Sequence, residues 1–162
     1  MRKAFAAIGS ALFFLLAPGV TAGLIPWWLT GWEVNEYWLP ARVAGAVLLA
    51  AGVLVLVSAF ARFVVEGVGT PAPVAPSEQL VVGGLYRYVR NPMYVAVAAT
   101  IVGQALVLGR PVLLAYAAVF LAVTATFVRL HEEPALRRRY GAEYEAYCQA
   151  VPGWWPRVRA RR

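Results

Sequence analysis

Four stretches of this chain, residues 4–32, 43–61, 91–109 and 111–128, contain no Asp, Glu, Lys or Arg. A helix crosses the hydrocarbon core of a bilayer with about 20 apolar residues, roughly 17 at the least. All four stretches reach that length, the last two narrowly. Lipid offers the backbone no hydrogen-bond partners, so a spanning segment must satisfy its own, as a helix does. The expected fold is therefore an all-α integral membrane protein with four transmembrane helices. Composition agrees, since 61% of the residues are hydrophobic and only 14% are charged, against about a quarter charged in soluble domains.

The charges that remain are sorted by side. If all four stretches cross, Arg2, Lys3, Arg62, Arg87, Arg90, Arg129 and the arginines of the tail share one face, while Arg42 and Arg110 fall on the other, 13 against 2. The positive-inside rule then puts both termini in the cytoplasm. The net charge of +7 is on this reading a topology signal with anionic headgroups as its partner, and nucleic acid is not expected. Arg2-Lys3, the apolar stretch after them and Val20-Thr21-Ala22 also fit a secretory signal with its cleavage site. The stretch continues uncharged to Trp32, however, and favours a span kinked at Pro18-Gly19 with Pro26, Trp27 and Trp28 at its interfacial end.

The chain divides into two unequal parts within one compact unit. Residues 1–66 read as a two-helix membrane anchor whose outer loop, Trp32 to Pro40, carries Glu33 and Glu36. Residues 67–162 begin with a cytosolic connector in which Pro71, Pro73 and Pro76 block a continuous helix. The chain then turns into the membrane at Pro92, reverses at Gly109-Arg110-Pro111 and returns to Val128, a spacing that fits an antiparallel helical hairpin. Beyond Arg129, Leu136, Tyr140, Tyr144 and Tyr147 follow helical spacing and predict a cytosolic amphipathic C-terminal helix. Cys148 is the single cysteine and permits no internal disulfide.

Chemistry-bearing residues gather at the cytosolic ends of the last two spans. One block runs from Gly83 to Tyr94 and includes Tyr86, Arg87, Tyr88, Arg90, Asn91, Pro92 and Tyr94; the other is Arg129-Leu130-His131-Glu132-Glu133-Pro134. A hairpin brings them side by side. Each residue type also has a plain explanation: arginines as positive-inside anchors and tyrosines as an aromatic belt, or carboxylates beside a helix N-terminus. One His and one Cys at unrelated spacing lack the ligand count of a zinc site, so no metal is expected.

The stretch from about Leu80 to Pro156 resembles the isoprenylcysteine carboxyl methyltransferase and phospholipid methyltransferase superfamily, in the form of its bacterial members. The residues that carry the resemblance are Arg90-Asn91-Pro92-Met93-Tyr94, Glu132-Glu133, Tyr140-Gly141, Tyr144, Tyr147 and Val151-Pro152. Asn91 stands where the family has histidine, and an amide cannot titrate near neutral pH. The resemblance implies transfer of a methyl group from S-adenosyl-L-methionine, leaving S-adenosyl-L-homocysteine. It implies a cofactor site made of Tyr86, Arg90, Asn91, Pro92, Tyr94, His131, Glu132, Glu133, Tyr140 and Tyr144, with Arg90 and Arg129 as catalytic candidates. The cofactor's cationic sulfonium, amino-acid end and ribose call for carboxylates, an arginine and aromatic faces, and those types are present. The expected acceptor is lipophilic, either a carboxylate such as a prenylcysteine-like group or a lipid amine. The expected location is a bacterial inner membrane, since the Ala, Arg, Val and Gly bias suits a G+C-rich genome.

Two competing readings are a membrane NADPH-dependent sterol or enone reductase, which has a similar Arg-x-Pro-x-Tyr block, and a non-enzymatic scaffold with a polybasic lipid-binding tail. Glu132-Glu133-Pro134 fits the methyltransferases better than the reductases. The scaffold gives no reason for the paired motifs.

Overall fold

The computed structural model describes residues 8, 9, 12, 13, 16–67 and 79–157. Most of the expected connector, with Pro71, Pro73 and Pro76, lies outside them, as do Arg2, Lys3 and the arginines beyond Arg157. Among the described residues every regular element is helical: α1 (Ile25–Thr30), α2 (Leu39–Gly67), α3 (Pro92–Leu108), α4 (Val112–Phe127), α5 (Glu133–Tyr140) and α6 (Ala142–Ala150). A 3-10 turn (Gly84–Arg87) precedes α3, and π turns (Val20–Leu24 and Val128–Glu132) precede α1 and α5.

Two helical stretches, Leu39–Arg62 and Val112–Tyr140, are long and apolar enough to cross a membrane; Pro92–Leu108 is apolar but shorter, with 17 residues. At 1.5 Å per residue that shorter helix measures about 26 Å, slightly less than the usual hydrocarbon thickness. The two long stretches are not soluble-core helices, because only 22% and 17% of their apolar windows are buried. Leu54 and Val123, for example, are 67% and 62% exposed. Apolar surface left open on that scale marks a face that meets a membrane or another protein.

The main buried cluster joins α2, α3 and α4. Ile101 and Leu113 are fully buried beside Leu56, Val97 and Ala117. The α2 and α3 backbones approach through glycines: a Cβ on Gly103 would lie 2.7 Å from the Leu49 nitrogen, and one on Gly45 would lie 2.6 Å from the Leu106 Cβ. Small residues at such contacts let helices pack where lipid provides no hydrophobic drive. At the far end of α3, Gly109 takes the left-handed conformation (φ +64°), and the 33–38 loop folds over this reversal. Asn35 N–H donates to the Leu108 carbonyl (2.9 Å), Tyr37 hydroxyl donates to the Leu106 carbonyl, and Arg110 pairs with Glu33 at 3.0 Å.

Both π turns have the same cause. Proline lacks an N–H and its ring crowds the carbonyl four residues earlier. Pro26 and Pro134 each stand two residues after a π turn. In the first, Ile25 N–H reaches back to the Val20 carbonyl, leaving Thr21 and Ala22 carbonyls without backbone donors from Pro26. Tyr116 hydroxyl donates to Thr21 (2.7 Å) and Gln104 Nε2 donates to Ala22 (2.6 Å). The irregularity expected at Pro18-Gly19 thus falls at Val20–Leu24, set by Pro26. In the second, Glu133 N–H reaches the Val128 carbonyl, and the helix continues through the turn to Tyr140.

The expected single amphipathic helix after Arg129 is two short helices. Gly141, at φ +52° and ψ −124°, breaks them apart, in a region that residues with a Cβ essentially do not enter. The break turns Tyr144 inward, where it is buried.

Candidate functional site

The cluster forms where α3 begins and α4 passes into α5. Pro92 starts α3 because its missing N–H is one of the helix's orphans anyway, and this holds Arg90 and Asn91 just outside the first turn. Arg90 Nη1 donates to Glu133 Oε1 (3.0 Å), Tyr144 hydroxyl (3.4 Å) and Cys148 Sγ (2.9 Å). The Arg90 and Glu133 side chains are 18% and 20% exposed, so the pair is shielded from solvent more than a surface ion pair is. Arg137 lies 3.7 Å from the other Glu133 oxygen and 2.7 Å from Glu145. Beside this group, Tyr94 hydroxyl donates to Glu132 Oε1 at 2.7 Å.

The π turn puts both carboxylates to use. Relative to an α-helix it carries one extra residue per turn, which shifts everything after it by about 100°. Glu132 thereby meets Tyr94, while Glu133 meets Arg90. The electrostatics are balanced in an unusual way. Burial opposes the charge on Arg90, but Cys148, Tyr144 and Glu133 more than offset it and raise its pKa, so Arg90 stays cationic. Nη1, with two hydrogens, faces three acceptors, whereas Nε is buried and has no partner. Burial raises the Tyr86 hydroxyl, as does the nearby charge of Glu132, and burial likewise raises Tyr144. Both phenols stay neutral in the physiological range.

Of the residues singled out in the sequence, Arg90, Tyr94, Glu132, Glu133 and Tyr144 come together. Tyr86 is buried against Ala59 and Val81, and its carbonyl accepts from Tyr147 hydroxyl at 2.7 Å. Pro92 is buried at the start of α3, and Asn91 Nδ2 donates to the Gly153 carbonyl at 3.1 Å. Arg129 and His131 are exposed, with His131 stacked on Phe127 at 5.3 Å. Tyr140 ends α5 with the Arg139 guanidinium 5.7 Å from its ring.

Three participants were not assigned to the site by the sequence reading. Cys148, noticed only for having no disulfide partner, touches Arg90. Trp154 sets its ring 6.2 Å from that of Tyr94. The 151–157 segment lies along the Arg90 block: Arg90 N–H donates to the Pro152 carbonyl (2.9 Å), Asn91 N–H to the Gly153 carbonyl (3.2 Å), and Arg157 N–H to the Tyr88 carbonyl (3.1 Å). Helical spacing from Tyr144 to Cys148 was the one available signal for the thiol.

The sequence model of the phospholipid methyltransferase family matches residues 40–143, well over half of the chain. The match includes α2, to which the motifs after Leu80 gave no clue, and it lends the reductase alternative no support. No curated protein and no solved structure matches the chain. Containing the Arg90 block, the membrane-length helices and the Glu132-Glu133 pair within the matched span, the chain belongs to the phospholipid methyltransferase family.

Proposed function

We propose that the protein is a membrane-embedded, S-adenosylmethionine-dependent methyltransferase that acts on a lipophilic acceptor. The observation that carries this reading is the convergence of Arg90, Glu133 and Tyr144 with the Tyr94–Glu132 pair at one end of the helices. The donor set fits the cofactor: the unpartnered, buried Nε of Arg90 is free to donate to a carboxylate, and two carboxylates are at hand for hydroxyl or ammonium donors. Bound S-adenosylmethionine supplies an electrophilic methyl group on a sulfonium.

The chain's own residues then bind and orient. Arg90 would hold the cofactor's carboxylate. Glu132 and Glu133 accept from its polar end, Tyr94 holds Glu132 in place, and the faces of Tyr94, Tyr144 and Trp154 shield the site from water. Asn91 and Pro92 would hold the start of α3 in place, and Tyr86, His131 and Tyr140 are proposed as further cofactor contacts. Such alignment is worth roughly 7 to 11 kcal/mol in favourable cases. Arg129, exposed three residues before Glu132 in the chain, would be the residue to meet an anionic acceptor head. A lipophilic tail remains in the bilayer while its head reaches the site sideways. In this arrangement residues 1–66 anchor and residues 67–162 carry the site, four helices span a bacterial inner membrane with the last two as a hairpin, and both termini are cytoplasmic.

Methyl transfer from labelled cofactor in nanodiscs tests the reading, with lipophilic carboxylates and lipid amines as acceptors for wild type and Arg129→Ala. A carboxylate acceptor predicts that Arg129→Ala slows transfer, whereas an amine acceptor, whose charged form arginine repels, predicts no loss or a gain. Turnover confined to small water-soluble acceptors, with no advantage from an alkyl or prenyl chain, would overturn lateral entry. For topology, a cysteine introduced at Val34, with Cys148→Ser, should react with an impermeant thiol reagent in intact cells, and one at Glu143 should not.

A further inference from the structure

Asn91 occupies the N-cap position of α3 but does not cap it. An asparagine there ordinarily accepts from the N–H two or three residues on, through Oδ1. Here the side chain is spent on the tail instead: Nδ2 donates to the Gly153 carbonyl at 3.1 Å, and the Asn91 peptide N–H donates to the same oxygen at 3.2 Å. One residue thus grips one carbonyl twice. The bonds from Arg90 N–H to Pro152 and from Arg157 N–H to Tyr88 flank that grip and fix the register of the 151–157 segment.

The grip reaches the functional cluster by contact. A Cβ on Gly153 would stand 3.3 Å from Arg90 Nη2, so the tail's backbone forms one wall of the space in which the guanidinium sits. The next residue, Trp154, stands beside Tyr94, which in turn holds Glu132. A tail displaced at Gly153 would release Arg90 on one side and Tyr94 on the other.

We propose that Asn91 is a positioning residue that latches the 151–157 strap across the Arg90 block, and that the latched strap orders the cofactor-binding cluster. This rests on the cofactor reading given above. The latch requires an N–H at the δ position of residue 91, and that requirement ranks substitutions. Aspartate has the shape of asparagine but only acceptors, so it faces the Gly153 carbonyl with like polarity. Alanine removes the donor. Histidine, protonated on Nδ1, carries a donor at the equivalent place. An imidazole and an amide are therefore interchangeable in this role, although they are not in proton transfer.

The full-length protein in nanodiscs provides the test, through hydrogen exchange at the Arg90, Asn91 and Arg157 amides and calorimetric affinity for S-adenosylhomocysteine. Asn91→Asp and Asn91→Ala should speed exchange at these amides and weaken affinity by about fivefold, the scale of one net hydrogen bond. Asn91→His should restore both, and helix content by circular dichroism should not change. Unaltered exchange in Asn91→Asp and Asn91→Ala would overturn the latch. Faster exchange with unaltered affinity would overturn its ordering of the cluster, as would a failure of Asn91→His to rescue. If wild type itself did not bind S-adenosylhomocysteine, the cofactor reading would fail, while the exchange data would still decide the latch.

Discussion

The π turns before Pro26 and before Pro134 begin from the same backbone deficit and end differently. In Val20–Leu24 the freed carbonyls of Thr21 and Ala22 are covered from two other helices by Tyr116 and Gln104. In Val128–Glu132 the turn lies at the end of the long apolar helix, and its extra residue swings Glu132 and Glu133 toward Tyr94 and Arg90. A buried backbone group left unmet costs up to several kcal/mol, and the first turn is tied down by polar side chains from α3 and α4. At the second turn the same irregularity directs carboxylate side chains instead. A π turn is thus a stability feature in one place and a site-building feature in the other.

Substitutions at the two turns should therefore separate affinity from stability. The largest effect is expected for Pro134→Ala, which restores the missing N–H, allows a regular α-helix and turns Glu132 and Glu133 away by about 100°. Calorimetric affinity for S-adenosylhomocysteine should fall more than about a hundredfold, past the upper bound for one lost charge-assisted bond. Glu133→Gln comes next: it keeps the shape and removes the charge facing Arg90, for about 1.5 to 3 kcal/mol, or tenfold to a hundredfold in affinity. At the other turn, Gln104→Leu leaves the Ala22 carbonyl without its donor. It should lower unfolding stability in detergent by about 1 to 3 kcal/mol and leave affinity unchanged. Tyr116→Phe should be mildest, near the average of about 0.6 kcal/mol for polar contacts in membrane helices. Loss of affinity in Gln104→Leu, or loss of stability without loss of affinity in Pro134→Ala, would dissolve the contrast.

Prolines and glycines made much of the fold legible in advance. Pro92 opens α3, Gly109 closes it in the left-handed conformation, and the helices on either side follow from uninterrupted apolar residues. Arg90 meets Glu133 and Tyr94 meets Glu132, joining the two blocks that the sequence reading expected side by side. The π turns were not legible, because periodicity over a long apolar run does not register one inserted residue. For the same reason the positions of Arg129 and His131 relative to Glu132 and Glu133 could not be read from spacing. The strap was hidden for another reason: its partners are main-chain carbonyls, which every residue has, so nothing in Pro152-Gly153 announces that Arg90 and Asn91 will donate to them. Cys148 was hidden by the break at Gly141, which redirects the helix that carries it.

That break bears on how the protein tolerates change. A Cβ on Gly141 would meet nothing within 4 Å, and a substitution scan guided by crowding would mark the position as permissive. Its handedness says otherwise, because φ +52° with ψ −124° is the mirror image of a conformation common to L-residues. A semisynthetic chain with D-alanine at 141 should keep Tyr144 and Cys148 where they are, whereas L-alanine, identical in size and composition, should displace them. At this position handedness, not size, decides what fits.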